Sequence, residues 1–174
     1  YYGGTTGSLK GHKFSLYDGG IREPAICHWP GRIPAGQVIG EPVASMDVFP
    51  TVLTAAGGDP SACELDGTDI LPLLADGEDL PDRDLFWEMN DQTAVRRGWW
   101  KLVLNGQLIE GAPPEDDVHL ADLEHDPAES VNLAEEHPEV TAELKAAAEE
   151  WRARIEDRWQ THWKPRANGT TTHG

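Results

Sequence analysis

Two lysines and a histidine fall within four residues at Lys10-Gly11-His12-Lys13, in a stretch rich in glycine, serine and threonine. Glycine permits close backbone approach to a ligand. An ammonium held in such a bend is a compact donor for a tetrahedral oxyanion. These residue types therefore suggest an anion site, with a surface loop of solvated lysines as the plain alternative. Charge distribution leans toward the anion. Residues 1–40 carry Lys10, Lys13, Arg22 and Arg32 against only Asp18 and Glu23, whereas the 174-residue chain has 14 Lys and Arg against 31 Asp and Glu.

A formal net charge of −17 argues against a nucleic-acid surface, which needs a basic face, and reads as a solubilising exterior. With 39% hydrophobic and 26% charged residues the chain is globular in composition. Its apolar runs are far too short to span a membrane. Cys27 and Cys63 make no C-x-x-C pair, which excludes a zinc ribbon; two thiols or one Cys27–Cys63 disulfide both stay open. His28, His119, His125 and His137 lack the i, i+4 spacing of a helical metal site and read as surface or packing residues. Asn168-Gly169-Thr170 fits the N-glycosylation pattern, which has meaning only in a secreted eukaryotic protein.

The elements that must position the lysines follow from turn chemistry and periodicity. Residues 1–24 read as an extended loop of a length that is usually functional. Ala25-Ile26-Cys27-His28-Trp29, ended by Pro30-Gly31, reads as a buried strand. Asp47 to Ala56 reads as a helix capped by Asp47, with Pro50 in its first turn. Leu71-Pro72-Leu73-Leu74 fits a short helical turn. Four alternating runs, 85–88, 93–96, 100–104 and 118–121, predict a small antiparallel sheet. Asn132-x-x-Glu135 has capping-box spacing ahead of a long helix opened by Pro138. On that helix Val140, Leu144, Ala147, Ala148, Trp151, Ile155 and Trp159 form one stripe, which should pack on the sheet.

The run Gly11-x-Lys13-x-x-x-Tyr17-Asp18-Gly19-Gly20-Ile21-Arg22-x-Pro24, followed by Trp29-Pro30-Gly31, resembles the sulfatase family of the alkaline phosphatase superfamily. The resemblance continues through Asp47-x-x-Pro50-Thr51, Leu65-Asp66-Gly67-x-Asp69, Ala94-Val95-Arg96-x-Gly98-x-Trp100-Lys101-Leu102 and Leu120-x-Asp122-Leu123-x-x-Asp126-Pro127-x-Glu129-x-x-Asn132-Leu133. It covers about residues 7–160. Each motif is short; their order and spacing together carry the signal.

The resemblance implies an α/β fold that is α+β in its C-terminal part. Residues 1–78 would end an alkaline-phosphatase-like α/β domain, residues 79–163 would form the sheet and helix, and 164–174 a tail. It implies hydrolysis of sulfate monoesters with a formylglycine nucleophile, made from the Cys or Ser of a Cys/Ser-x-Pro-x-Arg motif, and Ca2+, both supplied upstream of this chain, since neither Cys27 nor Cys63 fits that motif. The chain reads as beginning in mid-protein, with a missing N-terminal sulfatase segment as its partner. Lys13 is the sulfate-contacting lysine that the motif carries over, in both a catalytic and a substrate-binding role. His12, its neighbour, is a candidate substrate contact. Lys10, Tyr17, Asp18 and Arg22 are expected to be structural, with Asp18 holding the loop through Arg22 or backbone. The resemblance favours a periplasmic or secreted location and leaves the cytoplasm open. A phosphonate or phosphate ester hydrolase of the same superfamily, and a non-catalytic anion-binding module, are the competing readings.

Overall fold

The computed structural model describes residues 4–164; the expected tail and the Asn168 motif lie outside the described residues. In chain order the elements are α1 (Asp18–Ile21), α2 (Val48–Ala55), α3 (Leu71–Asp76), β1 (Asp84–Met89), β2 (Gln92–Arg97), β3 (Trp100–Gly106), β4 (Asp116–Asp122) and α4 (Pro138–Arg158). Two compact units form. One joins the first 22 residues to residues 83 onward; the other is Glu23–Asp82. Among the described residues no helix is long and apolar enough to cross a membrane.

In the first unit the four expected strands form one antiparallel sheet in the order β1-β2-β3-β4. The register pairs Val95 with Leu102 and Leu102 with Leu120. Side chains alternate between the faces of a strand. One face therefore collects Val95, Leu102 and Leu120, which are buried with Leu144 and Ala148 of α4. Phe86 adds a parallel stack on Trp151, centroids 5.2 Å apart. Full burial of one such leucine contributes about 2 kcal/mol, so this face anchors the helix. The stripe holds at Leu144, Ala148 and Trp151, but Ile155 and Trp159 are exposed.

The opposite face carries Ala94 and Val103, which are buried against Leu16 and Tyr17 of the N-terminal loop. Alternation puts Gln92, Lys101 and His119 on this same face. The loop is less extended than expected. It closes turns and a one-turn helix, α1, because its glycines let backbone pass close to backbone. A Cβ on Gly20 would stand 2.1 Å from the Ser15 carbonyl oxygen.

Asn132 does not cap α4. Its Oδ1 accepts the Leu120 and Ala134 N–H groups, both at 3.1 Å, and its Nδ2 donates to the Val118 carbonyl at 2.9 Å. The amide staples the chain to β4, and α4 starts later, at Pro138 beside His137.

In the second unit the strand expected at 25–29 is absent, and Ile26 is 94% exposed. A strand needs a neighbour for its N–H and C=O groups, and this segment has none among the described residues. Asp47 ends a 3-10 turn, Ser45–Asp47, ahead of α2. Its carboxylate accepts the Ala44 N–H at 2.7 Å and the Thr68 N–H at 2.8 Å, so it fastens the following loop rather than capping α2. Thr51 assists by accepting the Ile70 N–H at 3.0 Å. The helical turn expected at Leu71–Leu74 is α3, ended by Gly77 in the left-handed region.

Candidate functional site

The glycine-flanked loop at residues 10–22 is built as a set of fastened turns. The Ser15 N–H donates to the His12 carbonyl at 2.8 Å, which places Lys13 and Phe14 at the centre of one turn. Phe14 takes φ +75°, the left-handed value that the second central residue of a type II turn requires and that glycine usually supplies. The Gly19 N–H donates to the Lys10 carbonyl at 2.8 Å, drawing the two ends of the loop together. Here Gly19 and Gly20 pass so close to the Gly11 and Ser15 carbonyls that no side chain fits.

Lys13 and His12 are both exposed at the outer edge of this turn. The Lys13 ammonium lies 5.2 Å from the centroid of the Phe14 ring, within cation–π range. His12 Nδ1 lies 3.3 Å from the Lys13 carbonyl oxygen. The structure thus brings the two candidate site residues onto one turn.

Beneath the turn Ser15, Leu16, Tyr17 and Asp18 are buried. Tyr17 is fully enclosed, edge-on to His119 at 5.2 Å between centroids. Burial, and then the nearby carboxylates Glu115, Asp116 and Glu129, push its phenol pKa upward, so it stays neutral. Lys10 is paired as expected, 2.8 Å from Glu115, with its ammonium 4.6 Å from the Tyr17 ring centroid.

Asp18 is the centre of a network that sequence reasoning only half anticipated. Arg22 stands 3.6 Å from its Oδ2, as expected. Two further partners were not foreseen. Lys101 of β3, fully buried, places Nζ 2.6 Å from Asp18 Oδ1 and 2.9 Å from Glu129 Oε1. The Asp18 N–H donates to Glu129 Oε2 at 2.5 Å. Burial raises the Glu129 pKa, and the Lys101 charge and the Asp18 N–H work against that rise. One ammonium thus stands between two carboxylates, and the exposed Arg22 supplies the second cation. Three distant chain segments meet there. Two signals for it were present: Lys101 interrupts an otherwise apolar strand, and Glu129 lies in the Asp126-Pro127 turn.

His28, His125 and His137 are exposed. Among the described residues, the side chains close enough to share a metal ion are Asp122, half-buried, and the exposed Glu124 and His125, with His125 Nδ1 already 2.8 Å from Asp122 Oδ2. Cys27 and Cys63 are exposed free thiols. What the loop is equipped to do is present one ammonium, with an imidazole beside it, on a root that cannot shift without breaking buried ion pairs.

The chain matches the family model described as N-sulphoglucosamine sulphohydrolase, C-terminal, over residues 11–154. Arylsulfatase A of Bos taurus is 32% identical over 169 residues, covering 86% of this chain and 33% of that protein. N-acetylgalactosamine-6-sulfatase of Canis lupus familiaris is 44% identical over 101 residues, covering 57% of this chain and 19% of its own length. Among solved structures, Ps i-CgsB superposes with a TM-score of 0.68 at 26% identity, covering 82% of this chain and 31% of that one. A Bacteroides thetaiotaomicron protein, from a locus for metabolism of multiple glycosaminoglycans, gives a TM-score of 0.68 at 24% identity, over 84% of this chain and 32% of its own, and shares the fold. The chain spans about a third or less of each of these proteins.

Proposed function

This chain belongs to the sulfatase family as a C-terminal portion, and on that premise we propose that the intact protein hydrolyses sulfate monoesters with Lys13 donating to the sulfate group. The observation that carries this reading is the fastening of the Lys13 turn: an exposed ammonium on a root locked by buried partners is suited to bind something beyond the chain's own surface. In sulfate transfer, negative charge grows on the leaving oxygen and must be held on the non-bridging ones. A fixed ammonium in a partly dehydrated pocket stabilises that charge better than reorganising water does. The remaining walls of the pocket would come from the rest of the intact protein. His12 would reach the same substrate from the adjacent position.

The family's calcium finds no matching donor set among the described residues, and its formylglycine motif finds no match at either cysteine. Neither exposed cysteine sits in a Cys-x-Pro-x-Arg motif, and the Asp122–Glu124–His125 trio offers one Asp and no Asn, which is not the Asp and Asn set that the resemblance implies. Ca2+ and the nucleophile are accordingly assigned to the preceding segment, and no step is routed through them here. Relatives carry names that span N-acetylgalactosamine-6-sulfatase and steryl-sulfatase. The sulfate group is what those names share, and it is the sulfate that the proposal concerns.

The test is Lys13→Ala in the full-length protein, with an aryl sulfate as substrate. Loss of one such donor lowers kcat/KM by about 10²–10³. Near-normal turnover by the variant would overturn the role. A parallel assay with an aryl phosphonate ester separates sulfatase from phosphonate hydrolase.

A further inference from the structure

Gln92 opens β2, on the sheet face that meets the loop, and it is fully buried. A buried primary amide must satisfy both a donor and an acceptor end. Its Nε2 donates to the Phe14 carbonyl at 2.9 Å. Its Oε1 accepts the Gln107 N–H at 2.9 Å and, more weakly, the Leu16 N–H at 3.4 Å. One side chain therefore grips the peptide that follows Phe14 and the chain just beyond it, and ties both to the sheet.

The grip falls where the backbone is least comfortable. Phe14 holds φ +75°, and a bulky residue persists in the left-handed region only where its surroundings fix it. Glycine would relieve that strain, as it does at Gly11 two residues before Lys13. It would also remove the aromatic ring that lies 5.2 Å from the Lys13 ammonium. The loop thus keeps a side chain that the turn disfavours, and a buried amide holds the strained peptide in place.

We propose that Gln92 is a positioning residue for Lys13, setting the turn that aims the ammonium; this rests on the sulfate-contacting role proposed for Lys13. Gln92 itself touches no substrate and acts through the Phe14 carbonyl.

The experiment is a double-mutant cycle in the full-length protein, measuring kcat and KM for an aryl sulfate. Gln92→Met keeps the length and removes both hydrogen-bonding ends. Placed alone, it lowers kcat/KM about tenfold, chiefly through kcat, because the aim of the ammonium matters most in the transition state. Placed on Lys13→Ala, it lowers the remaining activity less than about twofold, since there is no ammonium left to aim. The proposal is overturned if Gln92→Met costs the same factor in both backgrounds, as a general loss of folding would, or costs nothing alone. If Gln92→Met does not fold, Gln92→Glu makes the same comparison: it keeps the accepting oxygen and loses the donor to Phe14. Failure of the underlying reading looks different, because Lys13→Ala alone would then retain turnover, and both claims would fall together.

Discussion

The Lys101 ammonium reaches Asp18 Oδ1 at 2.6 Å across 83 residues of sequence, and it does so with no exposure to solvent. Such a pair is conditional. Charges removed from water are tolerated only while each is matched, and removing one partner typically costs about 3–5 kcal/mol. Lys101→Met leaves Glu129 without its cation and Asp18 with only the exposed Arg22. Urea unfolding should show a loss of that size. Combining it with Asp18→Asn and Glu129→Gln should recover most of the loss, because neutral amides need no counter-ion. A Lys101→Met variant within about 0.5 kcal/mol of the parent, the scatter of an ordinary surface change, would mean that the network contributes nothing.

Glu129 reaches Asp18 because the turn before it is fixed by Asp126. That carboxylate accepts the Ser130 N–H at 2.6 Å and the Val131 N–H at 2.9 Å. Burial acts to raise its pKa, but these N–H donors and the Ser130 hydroxyl outweigh it and hold the carboxyl below its ordinary range. A folded-state pKa below the unfolded one adds stability above the unfolded value and loses it as pH falls through the folded value. Asp126→Ala should therefore cost about 1 kcal/mol at neutral pH. The gap from the parent should narrow once pH drops below the usual carboxylate range. A gap that stays constant into acid would show that the charged form of Asp126 is not what holds the turn.

How far all this could be read from the sequence depends on the range of the interaction involved. The sheet was legible because alternation and turn residues are local: the run at 100–104 appears as β3, extended by two residues to Gly106. The long helix was legible for the same reason, through Leu144 and Ala148. The segment at 25–29 was misread because its apolar pattern states what it would bury against, not whether that partner is present. Lys101 could be seen as a charge on a buried register, yet nothing local names Asp18 or Glu129 as its partners. Gln92 gave no signal at all, since its role is set by a loop 78 residues away. Lys13 is proposed through a motif resemblance, and burial would not have singled out its exposed side chain.

The close passage at Gly20 sets a steric limit on the Lys13 loop. A Cβ there would meet the Ser15 carbonyl oxygen at 2.1 Å and the His12 carbonyl oxygen at 2.7 Å, both backbone atoms that cannot swing aside. Gly20→Ala should lower stability by about 1–3 kcal/mol, the usual cost of overpacking. It should also lower kcat/KM for an aryl sulfate, because one of the displaced carbonyls, that of His12, accepts the Ser15 N–H that closes the Lys13 turn. Gly40→Ala is the control: a Cβ there meets nothing within 4 Å, and stability should stay within about 0.5 kcal/mol. Equal behaviour of the two variants would reject the packing argument.

The helix α2 carries the most telling surface of the second unit. Val48, Phe49 and Val52 are 58%, 59% and 60% exposed, although their spacing is that of a buried helical face. A solvent-facing phenylalanine contributes little to folding, so Phe49→Ser in the 174-residue chain should shift its unfolding by less than about 0.5 kcal/mol and reduce binding of an apolar dye. In the full-length protein the same substitution should cost about 3 kcal/mol or more, because on the expectation that residues 1–78 end a larger α/β domain the rest of that domain covers this face, and truncation of a buried phenylalanine leaves a cavity. Parallel denaturant titrations of the short and full-length forms measure the difference directly. A cost that is small in both would mean that the α2 face stays open to water in the intact protein, and that the second unit is not a part of a larger core.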